Sequence, residues 1–278
     1  MEQTTVSLLA IVFMVITLLI SLVLPVGAVI VLCVKKVIRI LPVLIGAAVF
    51  FVFQLILRIP ALQIGAQLSP EFAAFISSPI LGGLFLGLTA GIFEEFGRFI
   101  GYKAALKKYT RWQDGLAFGI GHGGIEAVIL VGLTYINNLI IAVMINSGMW
   151  QTIASTMPAA TAQTAFDAIT QTSPHMFLVG GVERLFAMTI QIALSILVLY
   201  AIRRKRFLFV LFAVLLHLVV DAPIGLIMNN LGVFVMEAYV ALCAAASAVY
   251  IVLSRKVFAQ LDETESAQVP AAPVNSVE

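Results

Sequence analysis

Apolar residues run in long blocks, and the polar stretches between them are short and carry most of the charge. Uncharged apolar runs of 18 or more residues are the mark of transmembrane helices. The pattern predicts seven spans, roughly Val6–Val34, Ile40–Leu57, Pro79–Gly101, Asp114–Ile136, Met176–Ile202, Phe207–Met228 and Leu231–Leu253. The fourth is expected to continue past Asn137–Asn138 to about Ile145. Lipid offers no hydrogen bonds, so spans are helices unless strands close into a barrel. Barrel strands would alternate polar and apolar residues, and that alternation is absent. The expected fold is all-α, a polytopic transmembrane helical bundle forming one domain over residues 1–256.

The connections read differently. The segment from Arg58 to Pro79, "RIPALQIGAQLSPEFAAFISSP", is expected to be a surface loop with a short interfacial helix. The Ala/Thr/Gln/Ser-rich stretch Asn146–Pro174 is the longest connection and suits a loosely ordered hairpin or interfacial helix. Residues 257–278 are acidic and rich in Ala and Pro, a composition that predicts a disordered tail. The start, "MEQTTVSLLA", lacks the basic segment and small-residue cleavage site of a secretory signal, so the first span is expected to be retained.

Composition sharpens the class. The chain is 62% hydrophobic and 11% charged, against about 45–50% and roughly 25% in soluble domains. Thirteen of the sixteen Lys and Arg residues fall in alternate connections and after the last span. By the positive-inside tendency this puts the N-terminus outside and the C-terminus in the cytoplasm, in what is expected to be a bacterial plasma membrane. A net charge of +2 gives no basic face for nucleic acid. Cys33 and Cys243 sit in apolar runs without metal-ligand spacing and read as packing residues.

Against this background the ionisable residues inside the spans stand out. The third span carries Glu94, Glu95 and Arg98, and the fourth carries His122 and Glu126. Glu183 and Arg184 lie in the fifth, His217 and Asp221 in the sixth, Glu237 in the seventh. A charge at membrane depth costs several kcal/mol unless paired or hydrated, and marks a functional site by default. Six carboxyl groups against two arginines require protons, a cation or a water-filled cavity. At a rise of about 1.5 Å per residue, Glu95, His122 and His217 reach a similar level in the half nearer the basic connections. Spacings of three and four set Glu94 with Arg98, His122 with Glu126 and His217 with Asp221 on common helix faces. The stripes Gly83/Gly87/Gly91 and Gly115/Gly119/Gly123 permit close helix approach. Glu126 reads as a structural partner of Arg184, both lying near mid-membrane.

"EEFGR" (Glu94–Arg98), "FGIGH" (Phe118–His122) and "HLVVD" (His217–Asp221), in this order on separate spans, resemble the three signatures of CAAX-protease-like (Abi) glutamic-type intramembrane endopeptidases, with the YhfC-type branch nearest. The resemblance covers the core from about residue 79 to 228. It implies hydrolysis of a peptide or transmembrane-protein substrate near the cytoplasmic side. Glu94 and His122 would activate water, His217 and Asp221 would stabilise the oxyanion, and Glu95 and Arg98 would support them. The chain differs from the family in two places: the arginine stands one residue nearer the Glu pair, and Asp221 replaces a common Asn. No cofactor is expected. A zinc ion on His122, His217 and Glu94 is the second expectation, since two imidazoles and a carboxylate are a known zinc set. Two other functions stay open: a proton- or cation-coupled transporter, suggested by the carboxyl excess, and a non-catalytic membrane scaffold. Neither substrate nor oligomeric state is legible.

Overall fold

Each predicted apolar block folds as a helix, and most run longer than the pattern suggests. The computed structural model describes residues 5–267. Among these there is no strand. Six helices are long and apolar enough to cross a membrane: α1 (Leu8–Val34), α2 (Ile40–Leu68), α5 (Trp112–Asn146), α8 (Pro174–Arg203), the pair α9 (Leu208–Asp221) and α10 (Ile224–Leu231), and α11 (Val233–Ala267). A short α3 (Pro70–Ile76) meets α4 (Leu81–Ala105) at 87°, and together they make the seventh candidate span. Two short helices, α6 (Trp150–Ala154) and α7 (Ala159–Thr170), fill the longest connection. The chain is thus an integral membrane protein with six to seven candidate spans.

Three expectations need correction. The second span does not end at Leu57. A π-helical stretch, Phe51–Arg58, carries the helix past Pro60 on to Leu68, and the chain turns extended only at Ser69. The supposed loop residue Arg58 therefore lies against the bundle, donating to Thr89 Oγ1 at 3.2 Å, Gln54 Oε1 at 3.1 Å and the Leu86 carbonyl at 2.6 Å. The sharp turn comes later, at Ser77–Ser78. There Ser78 Oγ bonds the Phe75 carbonyl and accepts from the Gly82 N–H at 2.9 Å, closing one helix and opening the next.

The connection 146–174 holds two short helices, the helical alternative rather than the loose hairpin. Trp150, Ala162 and Ile169 are buried in one cluster with Ala142 and Ile145 of α5 and with Val6, Ala10 and Met14 of the first helix region. The tail does not begin at residue 257 either. Helix α11 continues to Ala267, because Phe258 is buried on the core and Arg203 pairs with Asp262 at 2.6 Å and Glu265 at 2.9 Å. The rest of the expected tail lies outside the described residues.

Helix α8 is the axis of the bundle, packing on α1, α4, α5, α9 and α11. Glycine makes the tightest crossings. A Cβ on Gly121 would strike the Val43 carbonyl, and one on Gly46 the Phe118 carbonyl, so α2 and α5 touch backbone to backbone. Gly91 does the same for α4 and α9: a Cβ there would meet the Val214 carbonyl at 2.8 Å and the His217 Cβ at 3.2 Å. These approaches draw the polar residues of α4, α5, α8 and α9 into one cluster.

Candidate active site

Glu94 is the hub of the cluster. Its Oε2 accepts from His122 Nε2 at 2.9 Å, Arg98 Nη2 at 3.2 Å and Gln191 Nε2 at 3.2 Å, and its Oε1 accepts from Gln54 Nε2. Four helices therefore supply donors to one carboxylate, which is how a buried charge is kept in a membrane. Arg98 is fully buried and also holds Glu95, Gln191 and Ser195 Oγ, the last at 3.2 Å. Its position in the signature does not turn it away. Instead it ties both members of the glutamate pair to α8.

His217 stands across from Glu94. Its Nδ1 lies 2.8 Å from Glu95 Oε1, while Nε2 lies 3.3 Å from Asp221 Oδ2 and 3.9 Å from Glu94 Oε1. Carboxylates facing both nitrogens place this ring to donate from both. Glu95 fixes the ring plane, and its Oε2 has no partner. Asp221 is the most open member, with its side chain 35% exposed.

The expected residues do converge, with one difference in arrangement. A polar cavity of about 120 Å³ is lined by Glu94, His217 and Asp221, and on its other side by Glu126, Glu183 and Arg184. That is room for a few waters. His122, expected beside the reacting water, is fully buried between the rings of Phe50 and Phe118 and touches Glu94 from behind. Its Nδ1 has no partner. Glu126 pairs with Arg184 at 3.2 Å, and Arg184 also holds Glu183. Asp221 further lines a second, open cavity of about 370 Å³ with Arg58, Ser77, Ser78 and Asn229. The polar centre thus has a mouth at the α3–α4 bend.

Three participants escaped the sequence reading. Gln191 links the two halves, donating to Glu94 and, at 2.8 Å, to Glu126 Oε2 while accepting from Arg98. Gln54 and Arg58 come from the extended second helix. A neutral amide or hydroxyl in an apolar run carries no charge to flag it. Spacing offered the one available signal: Gln191 and Ser195 stand one turn apart on a single face of the most buried helix.

The donor types that zinc takes are present in His122 Nε2, His217 Nε2 and the Glu94 carboxylate. Among the described residues no three His, Cys, Asp or Glu groups are placed to hold one metal. The Glu94 oxygens are already occupied by four donors, one of them cationic.

The family model described as YhfC intramembrane metalloprotease matches residues 20–243, a stretch that contains every site residue named above. A curated relative from Bacillus subtilis (strain 168), described as an uncharacterized membrane protein YhfC, is 34% identical over 252 residues, covering 90% of this chain and 98% of the relative. No solved structure matches the chain.

Proposed function

The chain belongs to the YhfC family of intramembrane metalloproteases, and from that footing we propose that it is an endopeptidase in which Glu94, rather than a metal-bound hydroxide, takes the proton from the attacking water. The observation that carries this reading is the shared polar cavity, where Glu94 from α4 and His217 with Asp221 from α9 face one small water-sized space at membrane depth. The same reading places the chain with the CAAX-protease-like endopeptidases of glutamic type.

The chemistry follows from the geometry. Water enters beside Asp221 and lies between Glu94 Oε1 and His217 Nε2, which are 3.9 Å apart. Glu94 removes a proton as the water oxygen bonds the peptide carbonyl carbon. His217 Nε2–H donates to the carbonyl oxygen as it becomes negative, with Glu95 holding the ring. Collapse breaks the C–N bond, and Glu94 returns its proton to the leaving amine. Positioned proton transfer of this kind contributes about 10²–10⁴ in rate, and one oxyanion donor about 3 kcal/mol. His122 is a positioning residue, orienting the Glu94 carboxylate from behind. Asp221 faces His217 Nε2 at 3.3 Å and lines the entry for water.

The test compares new peptide termini in membranes carrying equal amounts of wild type and Glu94→Gln. Termini present with wild type and missing with Glu94→Gln are the expected result. Identical termini from both proteins would overturn the proposal and leave the transporter and the scaffold as the readings that stand.

A further inference from the structure

The two reactants of an intramembrane hydrolysis have opposite solubilities, and the centre has a polar mouth for only one of them. A second cavity meets the centre from another side. It has a volume of about 330 Å³ and lies between α8, α9 and α11. Leu197, Phe212, Leu216, Cys243 and Tyr250 give it walls that are almost wholly apolar. Its inner end shares Ile190, Leu194 and Val220 with the polar cavity that holds Glu94 and His217. Its outer end faces lipid: Phe212 is 49% exposed and Val219 58%. Helices α9 and α11 both pack on α8 but scarcely on each other, so the cavity is a slot between them rather than a sealed void.

We infer that this slot is the entry and specificity subsite for a membrane-embedded substrate, taking a large apolar side chain next to the bond to be cut. This rests on the proposed peptidase reading of the same centre. The adjacency of the two cavities, with Ile190, Leu194 and Val220 as their shared wall, supports it. A peptide bond brought to the gap between Glu94 Oε1 and His217 Nε2 from the lipid side has its neighbouring side chain at Ile190, Leu194 and Val220. Beyond those residues only apolar surface is available, which accepts Leu, Met or Phe and leaves a charged or amide side chain unsatisfied. The mouth at Asp221, lined by Arg58, Ser77 and Asn229, admits water and releases the more polar product.

Ala193 forms the floor of the slot and is buried, and Ser247 lies on the wall opposite. Neither lines the polar cavity. Filling the slot with Ala193→Phe or Ser247→Phe should change selection without removing the chemistry. Termini in membranes carrying wild type, Glu94→Gln and each filled variant are aligned about the cut. Glu94-dependent cuts flanked by Leu, Ile, Met or Phe should fall about tenfold or more relative to those flanked by Gly, Ala or Ser. Two positions guard against one variant failing to fold, and detergent melting of both is measured beside wild type. Glu94-dependent cuts that keep their flanking residues and relative yields in both filled variants would overturn the inference and assign the slot to a lipid chain, with the peptidase reading intact. No Glu94-dependent cuts even with wild type would instead overturn the peptidase reading, and the subsite with it.

Discussion

At the scale of single residues, the distinction between a group that reacts and a group that holds it is testable at His122. Its ring is buried, lines no part of the polar cavity and touches Glu94 through Nε2 alone. Removing it leaves Glu94 with three donors instead of four, free to rotate within its cluster. His122→Ala should therefore lower kcat about 10²-fold or more with KM little changed, since the lost interaction matters mainly in the transition state. His122→Gln, which keeps a donor, should recover part of the loss. Equal loss in both variants would mean that the imidazole itself exchanges protons. The residues that sequence alone picked out here were the charged ones, because a charge in an apolar run has few innocent explanations. Glu94, Glu95, Arg98, His122, His217 and Asp221 all fall in one cluster. Gln54, Gln191 and Ser195 were not legible. Their importance comes from a neighbour across the bundle, and the one-turn spacing of Gln191 and Ser195 is all that the helix itself records.

Among the elements, the last helix carries the clearest lesson. Residues 257–267 look like a tail by composition, yet tertiary contacts hold them as helix: Phe258 is 1% exposed and Leu261 9%. The two interactions that anchor this end differ in worth. Arg203 has a buried side chain, 3% accessible, but its partners Asp262 and Glu265 are 59% and 61% accessible, so Arg203→Gln should cost about 1–2 kcal/mol. Phe258 is packed on Tyr200 and the core cluster, and Phe258→Ala should cost about 3–5 kcal/mol. Melting of the two variants in one detergent checks the order, and a larger loss from Arg203→Gln would contradict it. The second helix shows the same limit of sequence reading. Pro60 reads as a stop, yet the helix runs through it to Leu68 after a π-helical stretch, and Arg58 meets Thr89 and the Leu86 carbonyl rather than water.

Over the whole molecule, the bundle gives water and peptide separate routes to one place. The polar mouth beside Asp221 and the apolar slot between α9 and α11 each adjoin the small cavity that Glu94 and His217 line. Such a division lets a membrane centre stay hydrated without opening to bulk solvent. The number of spans and the order of the three signatures were readable from hydropathy and residue spacing. The routes were not, since a cavity is made by how far helices stand apart. Gly91 brings α4 against α9, while α9 and α11 have no comparable contact. The central claim is that Glu94 performs membrane-depth hydrolysis without a ligated ion. The most direct measurement uses purified protein in liposomes with a membrane substrate identified by its new termini, with and without a strong chelator. Cleavage that persists in chelator and vanishes in Glu94→Gln is the result predicted. Cleavage abolished by chelator and restored by added zinc would contradict the account and move the reaction onto a metal ion.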